Sequence, residues 1–117
     1  MPKILIVDDD RNTVKLLQTL LEMDGFEVAI AARGQTALEM VPDVQPDILL
    51  IDYHLADMEG TDLVTHLRSD ATYANLPMVI TSGLDVEDTA LAAGANLFLV
   101  KPFEPNKLAG IFYGLLG

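Results

Sequence analysis

Two short apolar runs that end in acid constrain this chain more than any other feature. Ile48-Leu49-Leu50-Ile51 runs straight into Asp52, and Ile4-Leu5-Ile6-Val7 runs into Asp8-Asp9-Asp10. Runs this dense, with no polar residue alternating through them, read as strands buried on both faces, the kind found in parallel sheets covered by helices. In open α/β sheets, ligands bind outside the carboxyl ends of the strands. Two buried strands therefore deliver carboxylates to one edge.

The rest of the chain alternates in step with these runs. The first strand is expected over Lys3–Val7 and a helix over Arg11–Met23, with Asp10 as N-cap, Val14, Leu16, Leu17, Leu20 and Leu21 at helical spacing, and Gly25 suited to the turn that ends it. A half-exposed edge strand is read at Phe26–Ile30 and a short helix at Gly34–Val41, with Pro42 and Pro46 bracketing the loop into the third strand at Asp47–Asp52. After Gly60 comes a helix with Leu63, Val64 and Leu67 inward, then a polar loop from Ser69 to Leu76. Pro77–Ser82 is the fourth strand. Asp85 can cap a short helix ending near Ala93, with Gly94 beyond it. Leu97–Val100 is the fifth strand, and Glu104-Pro105 opens a last helix carrying Leu108, Ile111, Phe112, Leu115 and Leu116.

Five strands alternating with five helices predict a parallel sheet covered on both faces. With right-handed crossovers, the expected strand order is 2-1-3-4-5, with its switch point between the first and third strands. Both acid-bearing strands flank that crevice. The length, 117 residues, fits one domain.

At neighbouring strand ends, Asp8, Asp9 and Asp52 would crowd together. Two like charges ~5 Å apart repel by some 3 kcal/mol at an effective dielectric near 20. Such a cluster holds a proton or a cation. Oxygen donors without histidine or cysteine side chains favour Mg²⁺, which pairs with phosphate. The fourth strand ends in a hydroxyl, Thr81 or Ser82, and the fifth in Lys101. Ser82 is the better candidate, because the small Gly83 follows it. A carboxylate nucleophile can take up a phosphoryl group as an acyl phosphate, whose charge a metal, a hydroxyl and an ammonium would neutralise.

These motifs resemble the receiver domain of two-component response regulators. The resemblance rests on Asp8-Asp9 after the first strand, Asp52 before a loop closed by Gly60, Ser82-Gly83 after the fourth, and Lys101-Pro102-Phe103 after the fifth. It covers residues 1–117 as a single receiver domain. It implies a flavodoxin-like doubly wound fold, Mg²⁺ as cofactor, and phosphoryl transfer to Asp52 from a histidine kinase or histidine phosphotransfer protein. It further implies Asp9 and Asp52 as direct metal ligands, Asp8 acting mainly through metal-bound water, and the backbone carbonyl of His54 as another ligand. Ser82 and Lys101 would bind phosphoryl oxygens, and Gly83 would leave room for them. In the switch, the Ser82 hydroxyl moves toward the phosphoryl group and Phe98 changes rotamer behind it, altering the surface around the fifth strand and the last two helices for a downstream output domain or protein.

The chain departs from the family pattern in three ways. Ala56 stands where the family usually has proline, Phe98 lacks the hydroxyl of the more familiar tyrosine, and the segment from Ser82 to Lys101 is about one helical turn shorter. Helix four is accordingly expected to be short. Gly110 and Gly114, four apart on the last helix, suit either close packing on the chain's own sheet or a homodimer face that includes Tyr113. His54 reads as a loop side chain tuning water access together with Leu84, His66 as solvent-facing, and Met40, Met58 and Met78 as packing residues.

The formal charge of -11, from seven basic and eighteen acidic residues, argues against nucleic-acid binding by this domain. No apolar run is long enough to span a bilayer, and the first residues lack the basic and apolar regions expected of a signal peptide. The absence of cysteine fits a cytoplasmic location. Self-catalysed phosphorylation, without turnover of an external substrate, is the expected activity. Two other classes compete with it. One is a receiver-like protein-binding module that takes no phosphoryl group. The other is a haloacid-dehalogenase-like phosphatase, which Asp8-x-Asp10 imitates but which needs a second acidic pair beyond the lysine, where this chain has only Glu104.

Overall fold

The computed structural model describes residues 1–117. Strands Lys3–Val7 (β1), Glu27–Ala31 (β2), Ile48–Asp52 (β3), Met78–Ser82 (β4) and Leu97–Val100 (β5) form one parallel sheet in the order β2-β1-β3-β4-β5. The helices are Arg11–Met23 (α1), Gly34–Val44 (α2), Gly60–Arg68 (α3), Glu87–Ala93 (α4) and Leu108–Leu116 (α5). The expected strand order and helix count both hold.

Side chains alternate across a strand, so each strand feeds two cores. Leu5, Val7, Leu49, Ile51, Met78, Ile80 and Phe98 face α2, α3 and α4, where Ala37, Val41, Leu63, Val64, Leu67 and Ala90 cover them. Ile4, Ile6, Ile48, Leu50 and Val79 face α1 and α5, against Val14, Leu17, Leu21, Leu108 and Phe112. Burial on both faces is why the strands lack polar alternation. β2, at the edge, is the exception, with Glu27 and Ile30 exposed.

α1 has the expected bounds. Asp10 accepts from the N–H groups of Asn12 and Thr13 and from the Thr13 hydroxyl. Leu16 is exposed rather than inward, because it lies about 200° around the helix from Val14. Phe26 falls outside β2 but is buried, with its ring edge-on to Phe112.

Other local expectations are corrected. α2 does not stop at Val41; it runs through Pro42 to Val44 and ends at Gln45, whose N–H still donates to the Val41 carbonyl and whose φ of 52° then turns the chain out of the helix. Proline removes one helical hydrogen bond, but burial of Ala37 and Val41 against the sheet holds the helix together. The stretch from Ser69 to Leu76 contains a 3₁₀ turn at Ala71–Tyr73 capped by Asp70. Pro105 opens a 3₁₀ turn, Pro105–Lys107, and α5 proper begins only at Leu108. Gly110 and Gly114 do not pack on the sheet, since a Cβ built at either would meet nothing within 4 Å. Tyr113 is partly engaged within the chain, its ring 4.6 Å from that of Phe26 and its hydroxyl donating to the Asp24 carbonyl.

α4 is seven residues long. Its carboxyl end is tied down by Arg68, whose guanidinium donates to the carbonyls of Gly94 and Tyr73 and to Asn96 Oδ1. Gly94 ends the helix at φ 115°, and a Cβ there would also press on the Arg68 stem.

Candidate functional site

The register of the sheet brings the strand-end acids together. Val7 pairs with Ile51 and Asp52 with Thr81, so Asp8 and Asp52 leave adjacent strands at the same height. Both have the parity of the α1/α5 face. Carboxylate oxygens of Asp8, Asp9 and Asp52 lie within 4.8 Å of one another. Asp8 is buried, Asp52 half-buried and Asp9 exposed.

One cation reaches this cluster. Lys101 Nζ is 3.1 Å from Asp52 Oδ1 and 3.8 Å from Asp8 Oδ2. The ladder continues past β5, with Lys101 N–H donating to the Ser82 carbonyl, and this sets the starting point of the lysine side chain. Asp8 Oδ1 also accepts from the Asp10 N–H at 3.0 Å. Burial pushes the Asp8 carboxyl above its usual range; the Asp52 charge adds to this, and the Asp10 N–H and Lys101 oppose it.

Three acids facing one ammonium leave the cluster short of positive charge. The donors are all oxygens, two carboxylates are partly withdrawn from water, and Asp9 stays open on the solvent side. This arrangement fits a hard divalent cation that keeps some of its own water. Asp10 is not part of it, because its carboxylate is committed to the α1 cap. That removes the second acid the phosphatase reading needs.

The loop after Asp52 is tightly closed. Tyr53 N–H donates to the Thr81 carbonyl and Gly60 N–H to the Tyr53 carbonyl. A Cβ on Gly60 would sit 2.6 Å from the Asp52 carbonyl oxygen, so only glycine lets α3 start this close to the acid. His54 is exposed, with its ring edge-on to Tyr53. Tyr53 Oη donates to Glu59, and Glu59 N–H donates to Asp62 at the start of α3.

The two hydroxyls at the end of β4 point to opposite faces. Ser82 is fully buried on the α3/α4 side, the side of Phe98, and its Oγ accepts from the Leu84 N–H at 3.1 Å. Its own O–H remains free to donate. Thr81 has the parity of Val79 and so lies on the face of Asp52. Gly83 is exposed, with open space where a side chain would be. Phe98 is buried in the core of the α2/α3/α4 face.

Sequence reasoning passed over Asp57. Its two carboxylate oxygens accept from the N–H groups of Gly34 and Gln35, each at 2.9 Å, and so cap α2 from the loop after β3. These bonds hold its carboxyl below the usual range. One local signal was available: Arg33 precedes α2 and makes no side-chain cap, so the cap had to come from elsewhere.

A family model described as response regulator receiver domain matches residues 4–112. The DNA-binding response regulator MtrA of Mycobacterium tuberculosis (strain ATCC 25618 / H37Rv) is 36% identical over 109 residues, which cover 91% of this chain and 46% of MtrA. A putative response regulator from Chloroflexus aurantiacus J-10-fl superposes with a TM-score of 0.93 at 34% identity, covering 99% of this chain and 98% of that one. The chemotaxis response regulator CheY4 of Vibrio cholerae gives a TM-score of 0.91 at 28% identity, covering 98% of each chain. The chain spans less than half the length of the curated relatives it matches.

Proposed function

The chain belongs to the response regulator receiver domain family, and from that premise we propose that Asp52 is its phosphoacceptor. The observation that carries this reading is the ion pair between Asp52 and Lys101, in a crevice shared with Asp8 and Asp9. One Asp52 oxygen attacks the phosphorus of a phosphohistidine on a histidine kinase or phosphotransfer protein. The P–O bond forms as the P–N bond breaks, and the imidazole leaves with the electron pair.

The remaining groups divide the charge that arrives. Asp9 and Asp52 would hold Mg²⁺, with Asp8 acting through metal-bound water and the His54 carbonyl as a further ligand. When bound, the cation neutralises phosphoryl oxygens that the acids would otherwise repel. Lys101 gives up its contact with Asp52 Oδ1 to take a phosphoryl oxygen. Gly83 leaves that space open. The Ser82 O–H turns toward a second phosphoryl oxygen. Because Ser82 and Phe98 share a face, the volume Ser82 vacates becomes available to the ring.

Residues 1–117 act in this reading as one receiver domain that stores a phosphoryl group rather than turning over an external substrate. The signal passes to an output domain or protein through the surface around β5, α4 and α5, with self-association through α5 as one form of that contact. No helix is long and apolar enough to cross a membrane, and the reading locates the domain in the cytoplasm. The test is incubation with Mg²⁺ and acetyl phosphate, followed by intact mass. The wild type should gain one phosphoryl group only with Mg²⁺, and Asp52→Asn should gain none. A wild type that stays unmodified would make the chain a binding module.

A further inference from the structure

The path of the Lys101 side chain assigns a role to Thr81. Neighbouring strands lie about 4.8 Å apart, so the strands of Lys101 and Asp52, with β4 between them, are separated by roughly 10 Å. Lys101 Nζ nevertheless reaches to 3.1 Å from Asp52 Oδ1. The side chain therefore crosses β4 on the α1/α5 face. At the Asp52 rung, the β4 residue on that face is Thr81.

Thr81 differs from the rest of this face. Val79 below it, and Leu97 and Leu99 on the next strand, are apolar. Thr81 is only 3% exposed and takes part in no side-chain hydrogen bond, yet no side-chain oxygen in the molecule is sealed from solvent without a partner. Its hydroxyl oxygen is thus what remains open, at the carboxyl end of the sheet beside the acid crevice.

We propose that Thr81 is a positioning residue for Lys101: its hydroxyl, free in the unphosphorylated chain, accepts a hydrogen bond from the ammonium when the lysine leaves Asp52 Oδ1 for the arriving phosphoryl oxygens. The proposal rests on the reading of Asp52 as phosphoacceptor. An ammonium has three donors; Asp52 Oδ1 accepts from one at 3.1 Å, while Asp8 at 3.8 Å makes only an ion pair, so donors remain for a further acceptor. Once Asp52 has become an acyl phosphate, its own carboxylate charge no longer holds the ammonium, and a neutral acceptor beneath the lysine keeps the donors aimed at the crevice. The two hydroxyls at the end of β4 then have separate tasks on separate faces, Ser82 toward Phe98 and Thr81 toward Lys101.

Thr81→Val keeps the shape and removes the hydroxyl, whereas Thr81→Ser keeps the hydroxyl and removes the methyl. With Mg²⁺ and acetyl phosphate, Thr81→Val should slow phosphoryl uptake about tenfold, the weight of one hydrogen bond to a charged group, and Thr81→Ser should stay within about twofold of wild type. In protein loaded with Mg²⁺ and beryllofluoride, a phosphoryl mimic, the Lys101 side-chain nitrogen resonance should differ from wild type in Thr81→Val and not in Thr81→Ser. If Thr81→Val folds poorly, Thr81→Ala serves the same comparison. Wild-type rates and resonances in the hydroxyl-less variant, or an equal loss in valine and serine variants, would reduce Thr81 to a packing residue. A wild type that takes up no phosphoryl group at all would instead remove the Asp52 reading itself.

Discussion

The Lys101 ammonium lies 3.1 Å from Asp52 Oδ1, although the two residues leave strands that are not neighbours in the sheet. On the proposed reading, in which Asp52 also holds the divalent cation, lysine and that cation compete for the same carboxylate. Removing the lysine should therefore act in opposite directions on binding and on chemistry. Lys101→Ala is expected to tighten Mg²⁺ binding several-fold and to slow phosphoryl uptake about a hundredfold, the usual weight of one transition-state charge partner. Calorimetric titration and mass-resolved uptake on the same preparation check both signs. Weakened Mg²⁺ binding would mean that Lys101 organises the acids rather than competing for them.

Asp9 is the exposed member of the cluster, and it should separate stability from function. In metal-free protein, Asp9→Asn removes a like charge from beside Asp8 and Asp52, so its thermal midpoint should equal or exceed that of wild type. Adding Mg²⁺ should reverse the order. Wild type gains about 2.7 kcal/mol at a hundredfold excess over Kd, and the variant gains much less. A midpoint that rises equally in both would place the cation elsewhere.

These residues also mark what could be read from the sequence. Ile4–Val7 and Ile48–Ile51 announced buried strands, and the acids following them had to emerge at one edge of a parallel sheet. Asp10 was legible as a cap because its partners are two and three residues away. The faces of Thr81 and Ser82 were not legible, because a one-residue error in a strand end exchanges them. Pro42 obeyed a local rule that burial of Val41 overrode. Asp57 and Arg68 find their partners through the fold, 23 residues from Gly34 and 26 from Gly94, and several of those partners are backbone groups with no side-chain signature.

Arg68 joins the end of α3 to the turn between α4 and β5, so its loss should loosen one end of the short helix specifically. Arg68→Met keeps much of the stem and abandons the carbonyls of Gly94 and Tyr73. The expected cost is about 2 kcal/mol, measured by urea unfolding. Amide exchange should accelerate from Ala93 to Asn96 well before it does in β1 or β3. Arg68→Lys should recover little, since one ammonium cannot serve three acceptors spread in different directions. Uniform acceleration across the sheet would show a global loss of stability instead of a local pin.

Asp57 offers a test that depends on pH. It sits in the loop after β3, the loop in which Ala56 leaves the backbone freer than a proline would, and fastens that loop to the amino end of α2 through two N–H groups. Those bonds hold its carboxyl below its ordinary value of 3.8, the Gln35 N–H contributing most. A depressed folded value means the carboxylate stabilises the fold at every pH above 3.8 and loses that effect as pH falls through the lower folded value. Asp57→Asn, which turns an amide toward two donors and gives up the charge at the helix end, should unfold at lower urea than wild type at neutral pH. The gap between the two proteins should hold above pH 3.8 and narrow progressively as the pH is lowered below that value. A gap that stays constant across this range would assign the effect to shape rather than charge, and the loop would then owe its position to Gly60 alone.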